Sequence, residues 1–266
     1  MTSTHKHVAR KAESTPAFRA LARVGFAANG VVHILIGAIA FAVAFGGGGE
    51  SDQSGAMKAI ADAPLGFVLL WVLVIGLLAL TLWYVVEGIL ARGDGASKWG
   101  ERLASWGRAV AYLFLGYVAL NAALGGNPDS EESTEETTSG ILQLPGGPIL
   151  VGIGGVAVLV IAGYFVFKGA TRKFEEQISM PGGTISTGVR TLGIVGYISK
   201  GIALGIIGVL LIVAAVQLDP EKAAGFDGAL KSLLGLPFGP WLVAIIGAGL
   251  IAYGIYQFAR ARYAKL

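Results

Sequence analysis

Four polar side chains lie within long apolar stretches of this sequence, where such groups are rare. Asn29 and His33 lie in the first stretch, Glu87 lies near the end of the second and Lys200 lies in the fifth. A polar group in hydrocarbon is costly and usually faces protein or water. These four residues are therefore the candidate binding residues, and an ion or small solute is the kind of ligand that such a set suits.

Asn29 and His33 belong to a stripe of residues spaced by four, which places them on one face of a helix. The stripe begins at Gly25 and ends at Gly37. Two interpretations of His33 stay open. A neutral imidazole bonded to a nearby carbonyl or hydroxyl serves structure alone, whereas an imidazole that faces a cavity contacts a solute. Haem held by two histidines is excluded, because no second histidine lies in an apolar stretch.

Lys200 and Glu87 also admit two interpretations. Both lie in the half of the membrane nearer the basic loops, so an ion pair between them is within reach. Alternatively, the Lys200 stem extends toward the interface and Glu87 itself lies at the interface. The interfacial position of Glu87 is favoured because Lys168 and Arg260 occupy the matching positions of the internal repeat described below. A position that is charged in every copy is expected to lie at the interface.

Six apolar blocks must hold these residues. Each is about 20 residues or longer, which is enough for a helix to cross a hydrocarbon core of about 30 Å. The chain has 54% hydrophobic and only 14% charged residues, so we predict a polytopic membrane protein with six transmembrane helices. The blocks cover roughly residues 24–45, 66–90, 104–124, 147–167, 191–216 and 240–259.

The blocks form an internal repeat of two spans each. Gly25, Gly107 and Gly196 head the three copies, and a proline turn followed by an aromatic residue recurs at matching distances. We place the repeats at 21–93, 103–174 and 191–263, after a basic tail and lead-in at 1–20. Because each copy has two spans, all share one orientation. The predicted fold is all-α, with three tandem helical hairpins around a pseudo-threefold axis along the membrane normal.

Glycine is unusually frequent, with 41 of 266 residues. Small residues let the backbones of membrane helices approach closely. They recur at helical spacing at Gly201, Gly205 and Gly208, and again at Gly107 and Ala111. We therefore predict that these residues form contacts between helices.

The loops indicate a topology. Lys and Arg are concentrated on one side, which carries 16 of the 20, so both termini are predicted to be cytoplasmic. Helical spacing of apolar residues predicts short helices on the outer surface within 46–64 and 227–237. The middle outer loop is acidic over 129–136, and we expect it to be solvated and disordered.

No pattern in the chain indicates an enzyme. Cysteine is absent, and no P-loop, HExxH, GxSxG or paired-carboxylate motif occurs. We predict no metal site, no cofactor and no nucleic-acid partner. A non-catalytic structural, accessory, or lipid- or small-ligand-binding protein is favoured, and a small-solute or ion transporter or channel is the alternative. The expected partners are membrane lipids, with other membrane proteins or a second copy of the chain.

The segment LARVGFAANGVVHILIG at 21–37, the loop motif GAMKAI at 55–60 and the Pro-x-Gly turn at 64–66 resemble a known family. It is the bacterial membrane family of domain of unknown function DUF 1206, and the resemblance covers nearly the whole chain. It implies three two-helix repeats in a bacterial cytoplasmic membrane. The family often has a basic fifth residue in the Gly-headed motif; Lys200 fits this pattern, whereas Asn29 and Ala111 depart from it. The resemblance implies no activity, substrate or catalytic residue.

Overall fold

The computed structural model describes residues 15–91, 95–126, 130–223 and 225–265. Most of the predicted basic tail, residues 1–14, lies outside this part of the chain. Within the described residues the structure is helical, without a strand longer than one isolated bridge. The helices are α1 Pro16–Ala44, α2 Gln53–Ala61, α3 Gly66–Leu90, α4 Gly95–Ala123, α5 Ser130–Leu142, α6 Gly147–Ala170, α7 Gly183–Gln217, α8 Phe226–Leu234 and α9 Gly239–Tyr263.

Within the residues that the structure describes, six helices are long and apolar enough to cross a membrane, namely α1, α3, α4, α6, α7 and α9. The predicted six spans are confirmed. Each repeat consists of a span, a short helix and a second span, so the short helices α2, α5 and α8 lie at the same end of the bundle. We call this the outer end and the opposite one the inner end, after the predicted topology.

The Pro-x-Gly turn starts the second span of each repeat in the same way. The residue after the proline takes a left-handed backbone conformation, with φ of 64° at Leu65, 80° at Gly146 and 63° at Phe238. The glycine that follows lies against the preceding short helix: a Cβ on Gly66 would be 2.2 Å from the carbonyl oxygen of Ile60. The glycine is therefore required by close backbone contact, which fixes the angle between short helix and span.

The spans form an open ring. Successive repeats are joined by contacts between α3 and α4, between α6 and α7, and between α9 and α1. Within repeats, α1 packs against α3 and α7 against α9, whereas α4 and α6 make no comparable contact among the described residues. The order around the ring is therefore α4, α3, α1, α9, α7 and α6. The pseudo-threefold axis stays a prediction.

Glycines form the closest helix contacts, as predicted for a membrane bundle. A Cβ on Gly37 in α1 would lie 2.5 Å from the carbonyl oxygen of Gly247 in α9. One on Gly208 in α7 would lie 3.0 Å from the carbonyl oxygen of Gly155 in α6. Backbones approach this closely only where side chains are absent.

The glycine at the head of the second repeat behaves differently from its two counterparts. A Cβ on Gly25 would lie 2.3 Å from the carbonyl oxygen of Gly76 in α3, and one on Gly196 would lie 2.5 Å from the Cα of Tyr253 in α9. A Cβ on Gly107 would meet no described atom within 4 Å. The predicted packing contact at Gly107 is wrong, because α4 and α6 do not pack together in the described part of the chain.

The outer helices α2 and α8 confirm the two predicted short helices, but they are built into the bundle. Met57 of α2 and Leu230 of α8 are fully buried. The two segments are tied together where the backbone N–H of Ser51 donates to Oδ1 of Asp227, at 2.6 Å. Asp227 also forms an ion pair with Lys231. These contacts cover the outer end of the bundle.

The acidic outer loop is more ordered than the sequence predicts. Helix α5 spans Ser130–Leu142, so the expectation of disorder is wrong there. Glutamate is a good helix former, and α5 packs against α6 and the short turn Pro220–Lys222. Local helix propensity and this contact outweigh the low hydrophobicity of the segment.

The difference between Gly37 and Gly107 is testable by one substitution at each. We expect Gly37→Leu to lower the free energy of unfolding by about 1–3 kcal/mol or more, since the side chain is forced into the α1–α9 contact. Gly107→Leu, the matched control, should leave it unchanged or raise it. Unfolding in mixed detergent measures both, and equal losses would contradict the open position of Gly107.

Candidate functional site

His33 and Lys200 meet inside the bundle and link α1 to α7. The Lys200 Nζ atom lies 3.0 Å from Nε2 of His33, and Nδ1 of His33 lies 2.9 Å from the backbone oxygen of Asn29. A carbonyl oxygen only accepts, so Nδ1 donates its proton to Asn29. In the neutral ring Nε2 then carries the lone pair, and it accepts a hydrogen bond from Lys200.

The rest of the Lys200 ammonium faces aromatic rings. Its Nζ atom lies 4.5 Å from the ring centre of Tyr253 and 5.4 Å from that of Phe165, both within the range of cation–π attraction. The His33 ring is also beside Tyr253, with 4.8 Å between centres. Across the described residues, no carboxylate lies within ion-pair distance of Lys200. One of its three N–H groups is used by His33, and within the described residues the other two face these rings and have no hydrogen-bond acceptor.

A cavity of about 300 Å³ begins at this pair. His33 and Lys200 are its charged or titratable members, and the remaining spans contribute mainly apolar side chains. Gln53 of α2 and Phe226 of α8 line its outer part. The cavity is therefore mainly apolar, with the His33–Lys200 pair as its charged or titratable part and Gln53 as a further polar residue. Its apolar lining includes Ile36, Leu115, Ile161, Leu204 and Leu250.

Structural elements lie beyond the cavity at both ends of the bundle. At the outer end, α2 and α8 are held by the Ser51–Asp227 contact. At the inner end lies a cluster of buried aromatic rings, in which Phe174 and Tyr197 stack with 5.5 Å between centres. Between α4 and α6 the lining is exposed. There Phe114 retains 56% of its accessible surface.

Asn29 contributes its backbone rather than its side chain. Its carbonyl oxygen accepts the hydrogen bond from His33 and thereby sets the ring's tautomer. The side-chain amide is buried, at 1% exposure, and forms no hydrogen bond to the described residues. Asn29 does not line the cavity. It positions His33.

Glu87 does not pair with Lys200, so the predicted ion pair is wrong. Its Oε2 atom lies 3.5 Å from Arg108 and 3.3 Å from the hydroxyl of Ser105, both in α4. The neighbouring helix α4 packs along α3 and supplies these partners. Glu87 is therefore satisfied between the first two repeats and takes no part in the cavity.

The matching positions Lys168 and Arg260 are buried, contrary to the prediction that this column faces the interface. Arg260 donates to the hydroxyl of Tyr84 at 2.8 Å, and Lys168 donates to the side chain of Gln177 at 2.9 Å. Arg260 also lies over the Phe26 ring, 4.3 Å from its centre. These cations give the inner part of the bundle a positive character. The concentration of tyrosines near the inner ends of the spans was the sequence signal for aromatic rings beside these cations.

The fold and the site define a class of protein: an all-α multi-pass membrane protein of three two-span repeats with a buried basic group. The profile of the Domain of Unknown Function (DUF1206) family matches the chain three times, at residues 24–91, 103–172 and 195–264. The chain therefore belongs to this family.

A relative in Bacillus subtilis (strain 168), named Uncharacterized protein YxxB, is 32% identical over 258 residues. The match covers 95% of this chain and 94% of the relative, so the similarity includes all three repeats. No solved structure matches the chain. The geometry of the site must therefore carry the functional argument.

Double-mutant cycles test the pairing of Lys200. We expect Lys200→Met and His33→Leu to be coupled by about 0.5–3 kcal/mol in the free energy of unfolding, because the two side chains are in contact. Lys200→Met and Glu87→Gln should add to within about 0.5 kcal/mol. Reversible unfolding in mixed detergent gives both values. Strong coupling in the second cycle, with none in the first, would restore the ion pair predicted from the sequence.

Proposed function

We propose that this protein is a non-catalytic membrane protein that binds a small anionic ligand in the cavity beside His33 and Lys200. The proposal is carried by the position of Lys200, in an apolar cavity and without a carboxylate partner in the described part of the chain. A charge within a membrane span costs about 2.5–3.5 kcal/mol on insertion scales. A bound anion offsets this cost through charge-assisted hydrogen bonds to the free ammonium protons.

The bonding of His33 supports binding rather than acid–base chemistry. Its Nδ1 proton is donated to Asn29, and its Nε2 lone pair accepts from Lys200. A general base needs a lone pair within reach of the substrate proton, and both ring nitrogens are already engaged. His33 instead orients the ammonium toward the cavity.

Transport of a small solute or ion is the second candidate. The observation in its favour is that His33 and Lys200 line one common cavity rather than separate contacts. The elements at the two ends of the bundle weigh against transport. A route along the membrane normal requires α2 and α8 to move at the outer end and the aromatic cluster to rearrange at the inner end. Lys200-dependent anion flux in proteoliposomes would favour transport over binding alone.

We also propose a location and partners for this protein. Its location is the bacterial cytoplasmic membrane, with both termini in the cytoplasm, and the distribution of Lys and Arg supports this orientation. Membrane lipids are the expected partners of the outward apolar surface. This applies above all to α6, because only 17% of its most apolar 18-residue stretch is buried. Association with other membrane proteins or a second copy is compatible with that surface.

Removal of the Lys200 charge tests the binding proposal. In native mass spectrometry of protein released from its own membrane, we expect anionic adducts whose occupancy falls about tenfold or more in Lys200→Met. The reason is that a hydrogen bond to a charged group contributes about 1.5–3 kcal/mol. Lys200→Arg should retain part of the binding. Lys168→Met removes a cation outside the cavity and is the control; an equal loss there, or full occupancy in Lys200→Met, would refute the site.

Single cysteines test the orientation, since the chain has none of its own. Ser232 in α8 and Ser179 between α6 and α7 are both exposed. In intact cells, we expect an impermeant thiol reagent to label Ser232→Cys and to leave Ser179→Cys unlabelled until the membrane is opened. The opposite pattern would invert the topology.

A further inference from the structure

The cavity has an uncovered side between α4 and α6, the two spans of the second repeat. In the other repeats the paired spans are in contact, α1 with α3 and α7 with α9. At the corresponding place in the second repeat, Gly107 meets no described atom within 4 Å of an added Cβ. Ala111, one turn further along α4, is exposed and lines the cavity. The opening is thus a departure from the repeat, located at the binding cavity.

The edges of this opening are apolar. Phe114 of α4 and Ile161 of α6 line the cavity and retain 56% and 49% of their accessible surface. The neighbouring outward side chain Val160 is apolar too, at 67% exposure. An opening with this rim in the middle of a membrane span faces lipid chains. The exposed residues of the cavity lining, Ala111, Phe114 and Ile161, all belong to α4 and α6, so the cavity is most accessible from this side.

We infer that the ligand is a single-chain amphiphile of the bilayer, whose carboxylate or phosphate group binds Lys200 and whose hydrocarbon chain leaves the cavity between α4 and α6. This inference rests on the proposed function and names the class of ligand for the same site. A volume of about 300 Å³ is at the lower end of small-molecule pockets. It suits an anionic group with the beginning of one chain.

The hydrocarbon chain and the charged group of the ligand have different roles in binding. The methylene groups lie in hydrocarbon before and after binding, so they add little affinity relative to the membrane. They keep the ligand in the bilayer, where the opening is. The charged group supplies affinity, because the ammonium of Lys200 replaces the hydration that the anion loses when it leaves the membrane interface.

The opening is testable by narrowing it. The protein in lipid nanodiscs is mixed with a fluorescently labelled hexadecanoate, and association and dissociation rates are measured. We expect Ala111→Trp to slow both rates about tenfold or more, because the indole occupies the opening. Val110→Trp is the matched control, since Val110 is adjacent, exposed and outside the cavity lining; its rates should stay within about twofold of the unmodified protein.

A second variant removes the concern that tryptophan disturbs folding. Ala111→Cys provides the only thiol in the chain, so the folded protein can be modified in detergent with a bulky maleimide before reconstitution. Val110→Cys modified in the same way is its control. Slowed exchange only at position 111 supports the opening, and equal rates at 110 and 111 overturn it.

Competition identifies the ligand class. Unlabelled hexadecanoate or hexadecyl phosphate should displace the probe, and the more effective of the two identifies the preferred anion. Butyrate and inorganic phosphate should not displace it; effective competition by these soluble anions, or by a two-chain phosphatidate, contradicts a single-chain lipid.

If probe binding persists in Lys200→Met, the proposed function fails. If it depends on Lys200 but is insensitive to position 111, only the inference about the opening fails.

Discussion

Close contact between glycine backbones is the constraint on which this bundle depends. Lipid chains are as apolar as helix side chains, so membrane helices associate through packing rather than through a hydrophobic force. The contact of Gly37 with Gly247 brings α1 of the first repeat against α9 of the third. It also places His33 beside Tyr253 and within reach of α7. The candidate site is a consequence of that helix contact.

The candidate site arises from the differences between the repeats. The stripe that begins at the leading glycine has His33 in the first copy, Leu115 in the second and Leu204 in the third. One position earlier in the stripe, only the third copy has a cation, Lys200. The first copy supplies the acceptor, the third supplies the charge, and the second leaves space beside them. Three identical copies would lack this asymmetric site.

Three other cations of the bundle have different surroundings from Lys200. Arg260 and Lys168 are each matched by a hydroxyl or amide and by an aromatic face, and Arg108 is matched by Glu87. Such contacts stabilise a cation through hydrogen bonds and polarisable rings, although Nε of Arg260 has no hydrogen-bond partner among the described residues. Lys200 has the rings and one acceptor, but its remaining donors lie at a cavity. This difference makes Lys200 the candidate ligand-binding cation of the bundle.

The sequence by itself determined the six spans, the threefold repeat and the short helices α2 and α8, because bilayer thickness sets the length of apolar helices and local spacing sets their faces. It also identified His33 and Lys200 as costly residues in hydrocarbon. The tertiary structure decided their partners: Lys200 bonds to His33, 167 residues away, and Glu87 bonds within the α3–α4 contact. Local patterns carry no information about which helices become neighbours around the ring. That order, and the opening beside Gly107, arises from the packing of complete helices.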